Sequence, residues 1–136
     1  MALKKGYKTL LEEAYAEVRT LSLDEAKAKH GDPDVLFVDI RDIREIEREG
    51  MIPGAMIAPR GMLEFWVDPE SPYYKEVFGS GKEFVLYCQA AWRSALAAQT
   101  LDEMGLPRVC HMEGGYAAWK ESGAPTVLHE SHQTKK

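Results

Sequence analysis

Three short apolar runs, "VLFVDI", "EFVLY" and "RVCHM", constrain this chain more than any other feature. Each is too short for a typical helix and rich in β-branched or aromatic residues, so each reads as a strand buried on both faces. "VRTLS" and "AMIA" add two shorter strand candidates. The segments between them carry helical signals. Lys8 to Glu17 sets Leu10, Leu11, Ala14 and Tyr15, with Val18 just beyond, at helical spacing against a core. Ser22 followed by Glu25 is a capping box opening a short helix that stops near Gly31. "RDIREIEREG" is a short charged helix closed by Gly50, Trp92 to Met104 is a helix ended by Gly105, and "GYAAWKESG" is a last helix. "RGMLEFWVDPESPYYKEVFG" mixes helical fragments with breakers. This alternation predicts an α/β fold of three layers, a central, mainly parallel five-stranded sheet with helices on both faces.

The 136 residues suit one domain. Residues 1–17 read as an N-terminal helical extension, 18–125 as the domain, and 126–136 as a flexible C-terminal tail. A net charge of −5 argues against a nucleic-acid partner, since phosphate contacts need a basic surface. No apolar run has the length of a membrane span, and acidic residues interrupt the N-terminal segment where a signal peptide would be apolar. A cytoplasmic location is expected. Cys88 and Cys110 are too few for a disulfide framework. His129 and His132 fall in the polar tail, and no metal site is expected from them.

In parallel sheets, ligands bind beyond the carboxyl ends of strands, where loops lead into helices. Asp39 and Cys88 both lie at such ends. A helix beginning near Trp92 leaves its first amides without partners and carries partial positive charge there. A thiol facing those amides is expected to ionise more readily. Gln89, Ala90, Ala91 and Trp92 form a loop suited to an anion, and Arg93 adds a planar cationic fork. The alternative is a buried cysteine that does no chemistry. Cys110, inside its strand, is expected in the core, and His111 is expected to be half-exposed rather than a base for Cys88. Trp119 is expected in the core. Trp66, Tyr73 and Tyr74 are candidates for the core or for a pocket rim.

The segment "CQAAWRS" resembles the active-site loop of the rhodanese family of sulfurtransferases, which runs roughly Cys-x-x-Gly-x-Arg-Ser. "VDIRDIREIEREGMIPGAMIAP" is similar to that family's Asp-Val-Arg-Glu segment leading to Gly-His-Ile-Pro-Gly-Ala. "VCHMEGGYAAWKESGAP" resembles its closing signature. Together the three cover about residues 18 to 125. The resemblance implies a single-domain sulfurtransferase without a cofactor, in which Cys88 takes a sulfane sulfur from a donor such as thiosulfate. The persulfide then passes that sulfur to cyanide or a thiol. Its implied partners are a small anionic donor and a thiol, cyanide or protein acceptor, on a monomer or homodimer. Gln89, Ala90, Ala91, Trp92 and Arg93 would hold the substrate, with Arg60 near the donor anion. Asp39, Arg41 and Ser94 would support them, Asp39 by accepting hydrogen bonds from the loop or Arg93.

Three positions depart from the pattern. Ala91 stands where the family often has glycine, Met51 replaces a histidine, and Asp42 replaces a glutamate. Two other readings stand beside the enzyme: a rhodanese-like binding or regulatory module, and a cysteine-based phosphatase or arsenate reductase. Phosphatases of that class place five residues between cysteine and arginine, whereas four separate Cys88 from Arg93. The shorter loop suits a single sulfur better than a phosphoryl group.

Overall fold

The computed structural model describes residues 1–129. In chain order the elements are α1 (Tyr7–Glu17), β1 (Arg19–Leu21), α2 (Leu23–Lys29), β2 (Val35–Asp39), α3 (Ile43–Glu49) and β3 (Met56–Ile57). They continue with α4 (Leu63–Val67), β4 (Glu83–Tyr87), α5 (Trp92–Glu103), β5 (Val109–Met112) and α6 (Gly115–Glu121). Single 3-10 turns flank α4 at Arg60–Met62 and Glu76–Gly79. Among the described residues, no helix is long and apolar enough to cross a membrane.

The five strands form one sheet in the order β1-β5-β4-β2-β3, and every pairing is parallel. β4 is central and buried along its whole length. Its side chains alternate between two cores, as the two-residue period of a strand requires. Phe84 and Leu86 pack with Ala97, Ala98 and Leu101 of α5 and Leu63 of α4. Val85 and Tyr87 pack with Ala26 of α2 and Tyr116 and Trp119 of α6. Three layers result, with all strand carboxyl ends on one side.

Local chemistry sets the helix ends. Ser22 and Glu25 form the expected capping box on α2. Asp42 does the same for α3 with Glu45, so the residue that departs from the family pattern is that helix's N-cap. Gly50 ends α3 at φ 84°, a conformation that an L-residue rarely adopts. α1 packs along α5, but only Ala14 of it is buried; Leu10 and Tyr15 stay partly open to solvent.

The chain past Pro125 keeps contact with the domain. Val127 and Met51 exchange two backbone hydrogen bonds of 2.9 Å, so the expected loose tail does not start at residue 126. The rest of that tail from residue 130, including His132, lies outside the described residues.

Candidate active site

Cys88 follows the last residue of β4, and α5 begins four residues later at Trp92. Backbone hydrogen bonds fix how the intervening peptides face. The Cys88 carbonyl accepts from the Tyr116 amide at 2.8 Å, and the Gln89 carbonyl from Ala117 at 3.1 Å. Both are therefore turned toward the start of α6. A trans peptide places its N–H opposite its C=O, so the amides of Gln89 and Ala90 face away from α6. The Ala91 carbonyl accepts from Ala95 at 3.2 Å, which leaves the Trp92 amide at the open end of α5. Among the described residues, no protein group accepts from these three amides. The sequence motif thus becomes a ring of available donors beside a buried thiol, Cys88 being 1% exposed.

Two backbone features make the ring possible. Ala91 lies in the left-handed region at φ 72°, ψ 0°. That conformation costs about 1–2 kcal/mol for a residue with a Cβ, and the Ala91 methyl is buried. Gly115, at φ 65°, supports the loop from below. A Cβ there would lie 2.6 Å from the carbonyl oxygens of Cys88 and Gln89. Gly115, the first residue of α6, is therefore the point of close backbone approach to the loop, which only glycine permits.

Arg93 lies beside the thiol but is already paired. Its two terminal nitrogens donate to the Glu45 carboxylate at 2.8 and 2.9 Å. The Glu45 hydrogen bond holds the guanidinium charge still more firmly, burial opposes this, and the Cys88 thiol adds a smaller pull in the same direction. The same partner holds Glu45 below the usual carboxylate range.

Asp39 does not act where the sequence suggested. Its buried carboxylate accepts from the Arg41 backbone amide at 3.1 Å, from Nε at 3.0 Å and from Nη2 at 2.8 Å, with no bond to Arg93 or the loop backbone. Arg41 is itself fully buried and stacks on the Tyr116 ring at 4.2 Å. It donates to the Gly50 carbonyl at 2.7 Å and to Gln89 Oε1 at 3.1 Å. Gln89 then donates to Glu49 at 3.1 Å. Asp39 thus reaches the loop through Arg41 and the Gln89 side chain, and Arg41 offers no free charge to solvent. Arg60, in the 3-10 turn before α4, is bound to Glu64 of α4 at 3.1 Å.

His111 corrects a second expectation. It is fully buried, not half-exposed. Its ring bridges Ser94 Oγ, 3.1 Å from Nδ1, and Thr20 Oγ1, 2.9 Å from Nε2. Burial pushes the imidazole down to about 4, so the ring is neutral at physiological pH. Ser94 is thereby tied to β5 and β1. Cys110 is core as expected, and burial, its largest influence, pushes the thiol up to about 12. Trp119 is core as well. Trp66 is partly buried beneath Lys75, while Tyr73 is exposed. A cavity of about 380 Å³ lined by His30, Phe37 and Pro53 shares no residue with this site.

Sequence reasoning missed Glu45, Gly115 and Tyr15. Glu45 was readable as the capping-box acid of α3, though not as the partner of Arg93. Tyr15 belongs to α1 and reaches the Ala91 carbonyl with its hydroxyl at 3.5 Å.

Residues 22–122 match the family model of the rhodanese-like domain. This chain belongs to the rhodanese-like family. An uncharacterized protein of Synechocystis is 38% identical over 93 residues, which are 68% of this chain and 47% of that one. The chain therefore matches about half the length of that relative. A structure from Rhodopseudomonas palustris, described as a protein of unknown function and possible tyrosine phosphatase, is 50% identical. It superposes with a TM-score of 0.91, covering 93% of this chain and 98% of that one. The homodimeric polysulfide-sulfur transferase of Wolinella succinogenes is 27% identical, with a TM-score of 0.68 over 96% of this chain and 93% of its own. In this rhodanese-like domain, α1 lies outside the matched range.

Proposed function

We propose that this protein is a sulfurtransferase that carries sulfur as a persulfide on Cys88. The observation that carries the reading is the loop itself: outward-turned carbonyls leave the amides of Gln89, Ala90 and Trp92 free beside the thiol. Donors fixed in advance around a developing negative charge are worth a few kcal/mol of barrier each. In the proposed reaction the Cys88 thiolate attacks the outer sulfur of thiosulfate. The sulfur–sulfur bond breaks, and sulfite leaves with the electron pair. Cyanide or a thiolate then attacks the terminal persulfide sulfur and restores the Cys88 thiolate. Atoms and electrons balance without a cofactor. Kinship with a polysulfide-sulfur transferase supports the chemistry, while thiosulfate and cyanide serve as representative donor and acceptor.

The test is an intact-mass measurement after incubation with thiosulfate. One added sulfur atom is expected, absent in Cys88→Ala and discharged by cyanide as thiocyanate. No adduct and no thiocyanate would point to a binding module.

A second reading, a cysteine-based phosphatase, draws on the description of the Rhodopseudomonas protein. The four-residue spacing between Cys88 and Arg93 weighs against it. Turnover of p-nitrophenyl phosphate that is lost in Cys88→Ser would reverse that judgement.

A further inference from the structure

Helix α1 precedes the part of the chain that matches the family, yet it touches the Cys88 loop at two successive residues. The Tyr7 ring lies against Trp92 with centroids 5.1 Å apart. The Tyr15 hydroxyl donates to the Ala91 carbonyl at 3.5 Å. The Tyr15 ring also rests on His111, with centroids 5.2 Å apart, so the neutral core histidine seats it. Ala14, the small neighbour that lets α1 approach α5, is completely buried. Burial first, and then the charges of Cys88 and Glu113, push the Tyr15 phenol up, so it stays a protonated donor at neutral pH.

Ala91 is the loop residue in left-handed conformation, and its carbonyl orientation decides where the Trp92 amide points. Strained residues persist where neighbours over-determine them. The Ala91 carbonyl has two such neighbours, the Ala95 amide within α5 and the Tyr15 hydroxyl from outside it.

We propose that Tyr15 is a positioning residue for the Cys88 loop: its hydroxyl holds the Ala91 peptide so that the loop amides remain directed at an anion on the sulfur. The helix before the matched range is then part of the active site. The proposal rests on the persulfide reading for its biological purpose, but its test does not require sulfur transfer.

The test is a double-mutant cycle between Tyr15→Phe and Ala91→Gly in the full chain. Tyr15→Phe keeps the ring on His111 and removes only the hydroxyl. Glycine adopts the left-handed conformation without help. Cys88 is alkylated with anionic iodoacetate and with neutral iodoacetamide, and the ratio of the two rates reports the anion preference of the loop. Tyr15→Phe is expected to lower this ratio about threefold, a loss in keeping with one long hydrogen bond at the weak end of the usual range. In the Ala91→Gly background the same change is expected to lower it less than twofold. Amide exchange at residues 89–93 should follow the same pattern: faster in Tyr15→Phe, and close to the single variant Ala91→Gly when both changes are present. An unchanged ratio with unchanged exchange in Tyr15→Phe overturns the proposal. Equal effects in both backgrounds also overturn it, because they would mean general loosening. Failure of the thiosulfate experiment with an intact cycle would sink the persulfide reading and leave Tyr15 in place.

Discussion

Arg93 meets Glu45 edge to edge, Nη1 2.8 Å from Oε2 and Nη2 2.9 Å from Oε1. A guanidinium fork held by two parallel bonds is fixed in plane. Its charge is also largely answered before any substrate arrives. Glu45→Gln should release that cation to an anionic donor. The pair is partly exposed, so solvent screening limits the gain to about 1 kcal/mol, or roughly a fivefold lower KM for thiosulfate. The effect should fade with added salt, which steady-state kinetics at two ionic strengths will check. A KM that does not fall would mean that Arg93 holds the loop and not the donor.

Gly115→Ala should be the most damaging single methyl in the protein. The new carbon would sit within 2.6 Å of two carbonyl oxygens of the loop, in a backbone conformation already unfavourable to alanine. Strained or overpacked substitutions cost about 1–3 kcal/mol or more. Denaturant melts should show that loss, and Cys88 persulfide formation should slow by at least tenfold even in the folded fraction.

Asp39→Asn would leave Arg41 buried without its carboxylate. Breaking a buried pair from one side typically costs about 3–5 kcal/mol. Both partners here are fully buried, so no solvent discount applies. Chemical denaturation measures the loss directly. A cost under about 1 kcal/mol would show that the stacking on Tyr116 and the Gly50 and Gln89 bonds hold Arg41 without Asp39.

His111 gives the protein a pH signature. The folded state keeps the ring neutral down to about pH 4, whereas an unfolded chain protonates it near 6.5. Between these values the unfolded state binds the extra proton, so stability rises with pH and falls on acidification. The full difference is on the order of 3 kcal/mol. The carboxylates of Asp42, Glu45 and Glu83 are held below their ordinary values, so their contributions are lost from the acid end of this range downward. Melting from pH 7 to pH 4.5 should therefore show a slope that His111→Gln flattens. Equal slopes in the two proteins would place the sensitivity elsewhere.

The strands, the caps and the cysteine corner were legible because each depends on neighbours within a few residues. Ser22 and Glu25 form their box inside one turn, and "EFVLY" is apolar on both faces because it is central. The pairing of the arginines was not legible. Arg93 and Glu45 are 48 residues apart, and nothing local says which carboxylate will be opposite. His111 misled for a related reason. A histidine in a strand reads as an edge residue until Thr20 and Ser94, 91 and 17 residues away, arrive to satisfy both nitrogens. Ala91 stands where the family often has glycine. Its positive φ is the reason glycine suits that position, and the hydroxyl at its carbonyl comes from a helix that no loop motif includes.

Cys110 has a practical consequence. Sealed under the sheet with its proton firmly held, it is a silent second thiol in a protein that has only two. Labelling stoichiometry at neutral pH then reports on one address without mutagenesis. Each added sulfur counted on the intact native chain can be read as a visit to Cys88, and a count of two would announce that the fold had opened.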